Sequence, residues 1–140
     1  MRKVLILIFL LLVQCVQAKE IVIGDKYFIT TINDIYLNLD EYKDVTVTFE
    51  GNLERGTFDD PDFDQTKEFA FVYRYGPGCC FNDVLAGMYL DYDGSIPKDN
   101  SWVRVTGKPY YFDHNGYSEL FLKVDKLTVL NKRGQLKVKD

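Results

Sequence analysis

From Val45 onward apolar and polar residues alternate, with Val45, Val47 and Phe49 set against Thr46, Thr48 and Glu50 until Gly51 interrupts the run. A period of two sends successive side chains to opposite faces of an extended strand, so this segment reads as a strand with one buried face. Four further runs follow, over Glu68 to Tyr75, about Val84 to Tyr92, Trp102 to Gly107 and about Glu119 to Leu130. Turn residues punctuate them: Gly76-Pro77-Gly78, Asp93-Gly94 and Asn115-Gly116. Ahead of the first strand, after the short apolar lead Ile21-Val22-Ile23, the residues Phe28, Ile32, Ile35 and Tyr36 recur at helical spacing. One short amphipathic helix is predicted there.

Five short strands and one helix make a mainly β protein. Gly51 and Gly107 lie in or just after strands, where a small sheet must bend sharply to close on itself. The pattern predicts a small five-stranded OB-like barrel with one short N-terminal helix, the alternative being an open β-sandwich. Phe49, Phe71, Trp102, Val103, Val105 and Leu122 are expected to share its core.

The N-terminus changes the picture of where this barrel works. Arg2-Lys3, the apolar run Val4 to Val13 and then Val16-Gln17-Ala18 have the form of a secretory signal, so residues 1–18 are read as a signal peptide and 19–140 as the single OB-like domain. The apolar run is shorter than the roughly 20 residues of a spanning helix, and no later stretch is apolar enough to serve as a stable membrane anchor. Lipidation at Cys15 is disfavoured by Gln14, which stands where a small residue is needed. An exported protein, periplasmic or extracellular, is the expectation. Without Arg2 and Lys3 the remaining 15 basic and 21 acidic side chains leave a charge of −6. That balance argues against an electrostatic grip on nucleic acid, so no nucleic-acid partner is expected.

Export leaves Cys79 and Cys80 as the mature chain's cysteines, adjacent in sequence and therefore unable to close an ordinary long-loop disulfide. Three readings are open. The pair can form a strained vicinal disulfide, present two thiolates to zinc or another soft metal ion such as cuprous copper, or pack as two small apolar side chains. In the metal reading Asp83 supplies a third ligand and His114, the chain's one imidazole, a fourth. Against that, His114 sits in the polar turn Asp113-His114-Asn115-Gly116, where a solvated histidine is the plainer reading. The carboxylates of Asp59, Asp60, Asp62 and Asp64 lack the glycine and distant glutamate of an EF-hand loop, and read as a solvated acidic loop. Lys132, Arg133, Lys137 and Lys139 read as a solvated basic tail. No phosphate-binding glycine loop or nucleophile triad is present, and a single histidine deprives most hydrolytic mechanisms of their usual base; a binding protein rather than an enzyme is expected.

Several of these residues also carry a resemblance. Ile35-Tyr36, then Tyr42 to Gly51, then Arg74…Cys79-Cys80-Phe81-Asn82-Asp83 and Trp102-Val103-Arg104-Val105-Thr106-Gly107 resemble the soluble C-terminal domain of a bacterial permease-subunit family. The specific part is Cys-Cys-x-x-Asp followed at a distance by Trp-Val-x-Val-x-Gly. Members are commonly encoded beside a predicted permease and usually carry membrane spans before this domain, whereas a cleavable signal is read here. The resemblance implies a barrel domain in the cell envelope with a transport-associated role and a membrane permease as partner. Two other functions stay open: a thiol/disulfide redox protein using the vicinal cysteines, and an OB-type ligand or single-stranded nucleic-acid module stacking on Tyr73, Tyr75 and Tyr89.

Overall fold

A computed structural model describes residues 19–60, 65–78, 82–114 and 117–139, with residues 58–60, 65–67, 114 and 117 described by backbone only. The chain runs β1 (Glu20–Ile23), α1 (Phe28–Leu37), α2 (Leu39–Tyr42), β2 (Thr46–Asp60), β3 (Gln65–Pro77), β4 (Asp83–Asp91), β5 (Trp102–His114) and β6 (Tyr117–Val129). Strands β2, β3 and β4 form an antiparallel meander; β6 lies parallel to β4, and β5 lies between β6 and β2. The circuit β2-β3-β4-β6-β5-β2 is a closed five-stranded barrel with OB connectivity. Beyond the expected five strands, β1 adds in parallel to the start of β2, and α2 follows α1. Among the described residues no helix is long and apolar enough to cross a membrane.

β2 makes closure possible because it has two partners in succession. Its first half, Val47 to Asn52, pairs with β5, and its second half, Asn52 to Asp60, pairs with β3. The changeover falls beside Gly51, where a Cβ would stand 2.8 Å from the Tyr73 carbonyl oxygen; any other residue would push β3 away. Gly107 does the same for β5: the register with β6 shifts between Thr106 and Gly107, and a Cβ there would meet the Lys123 carbonyl oxygen at 2.1 Å.

The inward-facing residues of all five barrel strands meet in one core that includes Val47, Phe49, Leu53, Val72, Met88, Val103, Val105 and Leu122, while Trp102 is buried apart from it, against Arg74, Arg133 and Gly134. Phe71 departs from the expectation: Ala70, Val72 and Arg74 point inward on β3, so the alternation turns Phe71 to the outer face, where it packs on Tyr73 and Tyr89. Helix α1 buries Phe28, Ile29, Ile32 and Ile35 across one end of the barrel, with Phe28 edge-to-face against Phe49 at 5.9 Å and Ile29 on Gly76. The C-terminal segment is not a free tail. Tyr75 bonds backbone-to-backbone with Leu136 and Val138 on either side of Lys137, and Val138 is buried.

Candidate functional site

Because β4 and β6 are parallel, both start at the end of the barrel that α1 covers. The β3–β4 connection and the β5–β6 connection therefore project from the same end. Cys79 and Cys80 lie in the first of these, outside the described residues, and its base is well defined. The Gly78 N–H donates to the Asn82 carbonyl at 3.0 Å, and Pro77 pairs with Asp83. Asp83 is the first residue of β4, with its carboxylate 42% exposed and ion-paired to Lys137 Nζ at 2.8 Å. His114 closes β5 opposite Tyr117 in the second connection; its side chain lies outside the described residues. Of the ligands expected from the sequence, the described residues thus place Asp83 and the backbone of His114 at one end of the molecule, where Asp83 already has a cationic partner, while Cys79 and Cys80 lie outside the described residues. Among the described residues no cluster of three or more histidine, cysteine or carboxylate side chains is arranged to hold a metal.

A second polar constellation lies at the β2–β5 seam. Arg74 points into the core with its side chain only 3% exposed, yet its charge is well accommodated. It donates through Nε to the Glu50 carbonyl at 2.6 Å, pairs with Asp25 at 2.5 Å, and sits 4.9 Å from the Phe28 ring and 5.1 Å from the Trp102 ring. The Glu50 carboxylate accepts from the Trp102 indole at 3.3 Å and from Arg104 at 2.5 Å. The buried carboxamide of Asn52 donates to the Tyr73 hydroxyl at 3.2 Å and accepts from Arg133 at 2.6 Å. Among the described residues no buried side-chain donor or acceptor lacks a partner, so the buried part of this network is accounted for as structure.

The third feature is aromatic. Phe71, Tyr89, Phe121 and Tyr110 are register partners on β3, β4, β6 and β5, so one ring from each strand forms a row across the outer face. Tyr89 tilts against Phe71 at 4.7 Å and stacks on Phe121 at 5.2 Å, and Phe121 meets Tyr110 at 5.9 Å. Burial, then the nearby carboxylates of Glu119 and Glu54, push the Tyr89 hydroxyl pKa up. Burial and a hydrogen bond to Asp91 push Tyr110 up to about 12. Of the three tyrosines considered as stacking platforms, Tyr73 is buried, with its hydroxyl tied to Asn52 and its ring stacked on Phe71. The row was missed in the sequence because its members lie on four separate strands and only the registers bring them together.

Residues 11–136 match the family described as the DUF1980 C-terminal domain, and the chain belongs to that family. No curated protein matches it. Among solved structures it is similar to a small single-stranded DNA-binding protein from Streptomyces coelicolor, at 12% identity and a TM-score of 0.35, over 64% of this chain and 96% of that one. A superposition that loose transfers neither a ligand nor a site.

Proposed function

We propose that this DUF1980 C-terminal domain is an exported binding module of the cell envelope that works beside a membrane permease and takes a soft metal ion on Cys79 and Cys80. The observation that supports the metal reading is the closure of the β3–β4 hairpin at its base. With Gly78 hydrogen-bonded to Asn82 and Pro77 paired to Asp83, two adjacent thiols belong to a short connection whose ends are fixed. A chelating pair on a clamped loop loses less chain entropy on binding than one on a long loop. Asp83 supplies carboxylate oxygen once Lys137 releases it, and His114, the last residue of β5, is the one imidazole of the sequence. The chemistry is binding, with no catalytic step assigned. Transport association and export rest on the family resemblance and the N-terminal pattern.

The test is metal titration with elemental analysis on reduced protein, comparing wild type with Cys79→Ser, Cys80→Ser and His114→Ala. Intact mass first establishes the redox state of the pair. Reduced wild type is expected to retain one equivalent of zinc, copper or arsenite after desalting, with Cys79→Ser far more damaging than His114→Ala. Affinity should fall with pH, because protons compete for the thiolates. Equal retention by the double serine variant sinks the assignment. A mass deficit of two hydrogens in protein isolated without reductant would move the function to thiol/disulfide exchange.

A further inference from the structure

The barrel is not sealed all the way round. β4 and β6 pair only over Tyr89–Phe121, Leu90–Leu122 and Asp91–Lys123, so among the described residues Asp83 to Met88 have no strand on that side. Helix α1 lies against this gap, and between the helix and the strands runs a groove of about 310 Å³. That volume is at the lower end of what small-molecule sites use.

Three rings and one carboxylate define its chemistry. Tyr36 comes from the last turn of α1, while Phe71 and Tyr89 come from the aromatic row; Leu85 and Leu120 supply aliphatic wall, and Glu119 supplies the charge. Tyr36 is held in place, its ring edge-to-face with Tyr111 at 5.6 Å and its backbone carbonyl accepting from the Tyr111 hydroxyl. No lysine or arginine lines the groove. Among the described residues Glu119 makes no ion pair. The last turn of α1 carries no basic residue either, so the negative end of its dipole adds to the field instead of being neutralised. Glu54 lies close enough to Tyr89 to act on its hydroxyl, with the same sign.

The groove is therefore electronegative, with largely apolar walls to which Asn33 adds one neutral carboxamide. A compact, strongly hydrated ammonium would have to give up its water for a single carboxylate. An alkylated cation with its charge spread over methyl surface gives up little, and it gains contact with the aromatic lining and the field. We propose that this groove binds a small quaternary ammonium ion, at a site separate from Cys79 and Cys80.

The experiment is a titration of the chain, followed by amide NMR, with choline chloride and with its uncharged isostere 3,3-dimethylbutan-1-ol. Choline should produce saturable shifts at Leu85, Gly87 and Leu120, and the alcohol should bind about tenfold more weakly, the ratio expected for a cation–π and charge contribution of this kind. Glu119→Gln, at an exposed site and with folding checked by circular dichroism, should weaken choline roughly threefold to tenfold and leave the alcohol unchanged. Tyr89→Leu should also weaken choline selectively, even if it perturbs the row. Equal affinities for the two compounds overturn the proposal, because they reduce the groove to an apolar cleft. Loss of neither ligand in Glu119→Gln overturns it as well, and so does sedimentation with phosphatidylcholine vesicles in the absence of any saturable shift with choline.

Discussion

The β2–β5 seam and the β4–β6 seam close the same barrel by different means. At the first, strands pair from Val47–Gly107 to Asn52–Trp102, and the join is overlaid by Arg74, Glu50, Arg104 and Arg133, with no buried side-chain polar atom among the described residues left unpaired. At the second, three residue pairs hold the strands, and above them the join is filled by a helix and apolar side chains that solvent can reach. A barrel wall made with buried charge has one arrangement, because every displaced group leaves a partner unpaired. A wall made with half-exposed apolar contacts tolerates displacement and leaves room for another molecule.

That contrast is open to attack by mutation. Trp102 is 3% exposed and packs between Arg74 and Arg133, so Trp102→Ala should cost about 3–5 kcal/mol in denaturant titration. A loss no greater than that of a surface change would dissolve the distinction between the seams. Val138 tests whether the C-terminal segment belongs to the tight side: at 1% exposure, Val138→Ala removes two buried methyl equivalents, roughly 1–2 kcal/mol. A silent substitution would return the segment to the status of a tail.

A smaller effect, read through pH, comes from α1. The Tyr42 hydroxyl donates to the Asp34 carboxylate, holding Asp34 below its usual range and pushing Tyr42 up to about 12. The Asp34 contribution is present at neutral pH and fades as pH falls through the acid range. The Tyr42 contribution is complete below its usual 10.0 and disappears as pH rises towards about 12. Tyr42→Phe should therefore be least stable relative to wild type near neutrality, with the two stability curves converging at both extremes. Parallel curves would show that the bond does not form in solution. At the bottom of the scale, Leu85→Ala on the open seam, 43% exposed, should change stability by no more than about 0.5 kcal/mol. A large loss there would mean that the groove is a strained part of the core.

What was legible in the sequence was whatever had one wet and one dry face. Val45 to Gly51, Trp102 to Gly107 and the helix Phe28 to Tyr36 all announce themselves by period, and the elements form there, although Tyr36 is exposed and the adjacent Trp102 and Val103 are both buried. The pattern failed where that contrast is lost. β2 continues past Gly51 through Glu54, Arg55 and Thr57, where the strand carries charge as well as apolar residues. Phe71 was assigned to the core because an aromatic in a strand usually belongs there; its neighbours Val72 and Arg74 hold the inward places, and the arginine gave no sign of it. Leu136 and Val138 alternate with Lys137 and Lys139, a signal that was available but was outweighed by the lysines. The open seam had no local signal, since a missing strand pair is a fact about two distant segments. The thiol pair is proposed from its adjacency and its turn alone, whereas Lys137 beside Asp83 required the fold.

The two-partner strand β2 also sets the order in which the chain can assemble. Its second half meets β3 across a short connection, a local search that costs little entropy. Its first half must wait for β5, which is synthesised only after β3, β4 and the long loop that follows them, so Trp102 reaches Asn52 late and the ring closes by a nonlocal contact. Until that moment the outer edge of β2 is an unprotected template for another chain. The conformational search for that one contact, more than the strength of any strand pair, governs how long a newly made molecule remains vulnerable to aggregation.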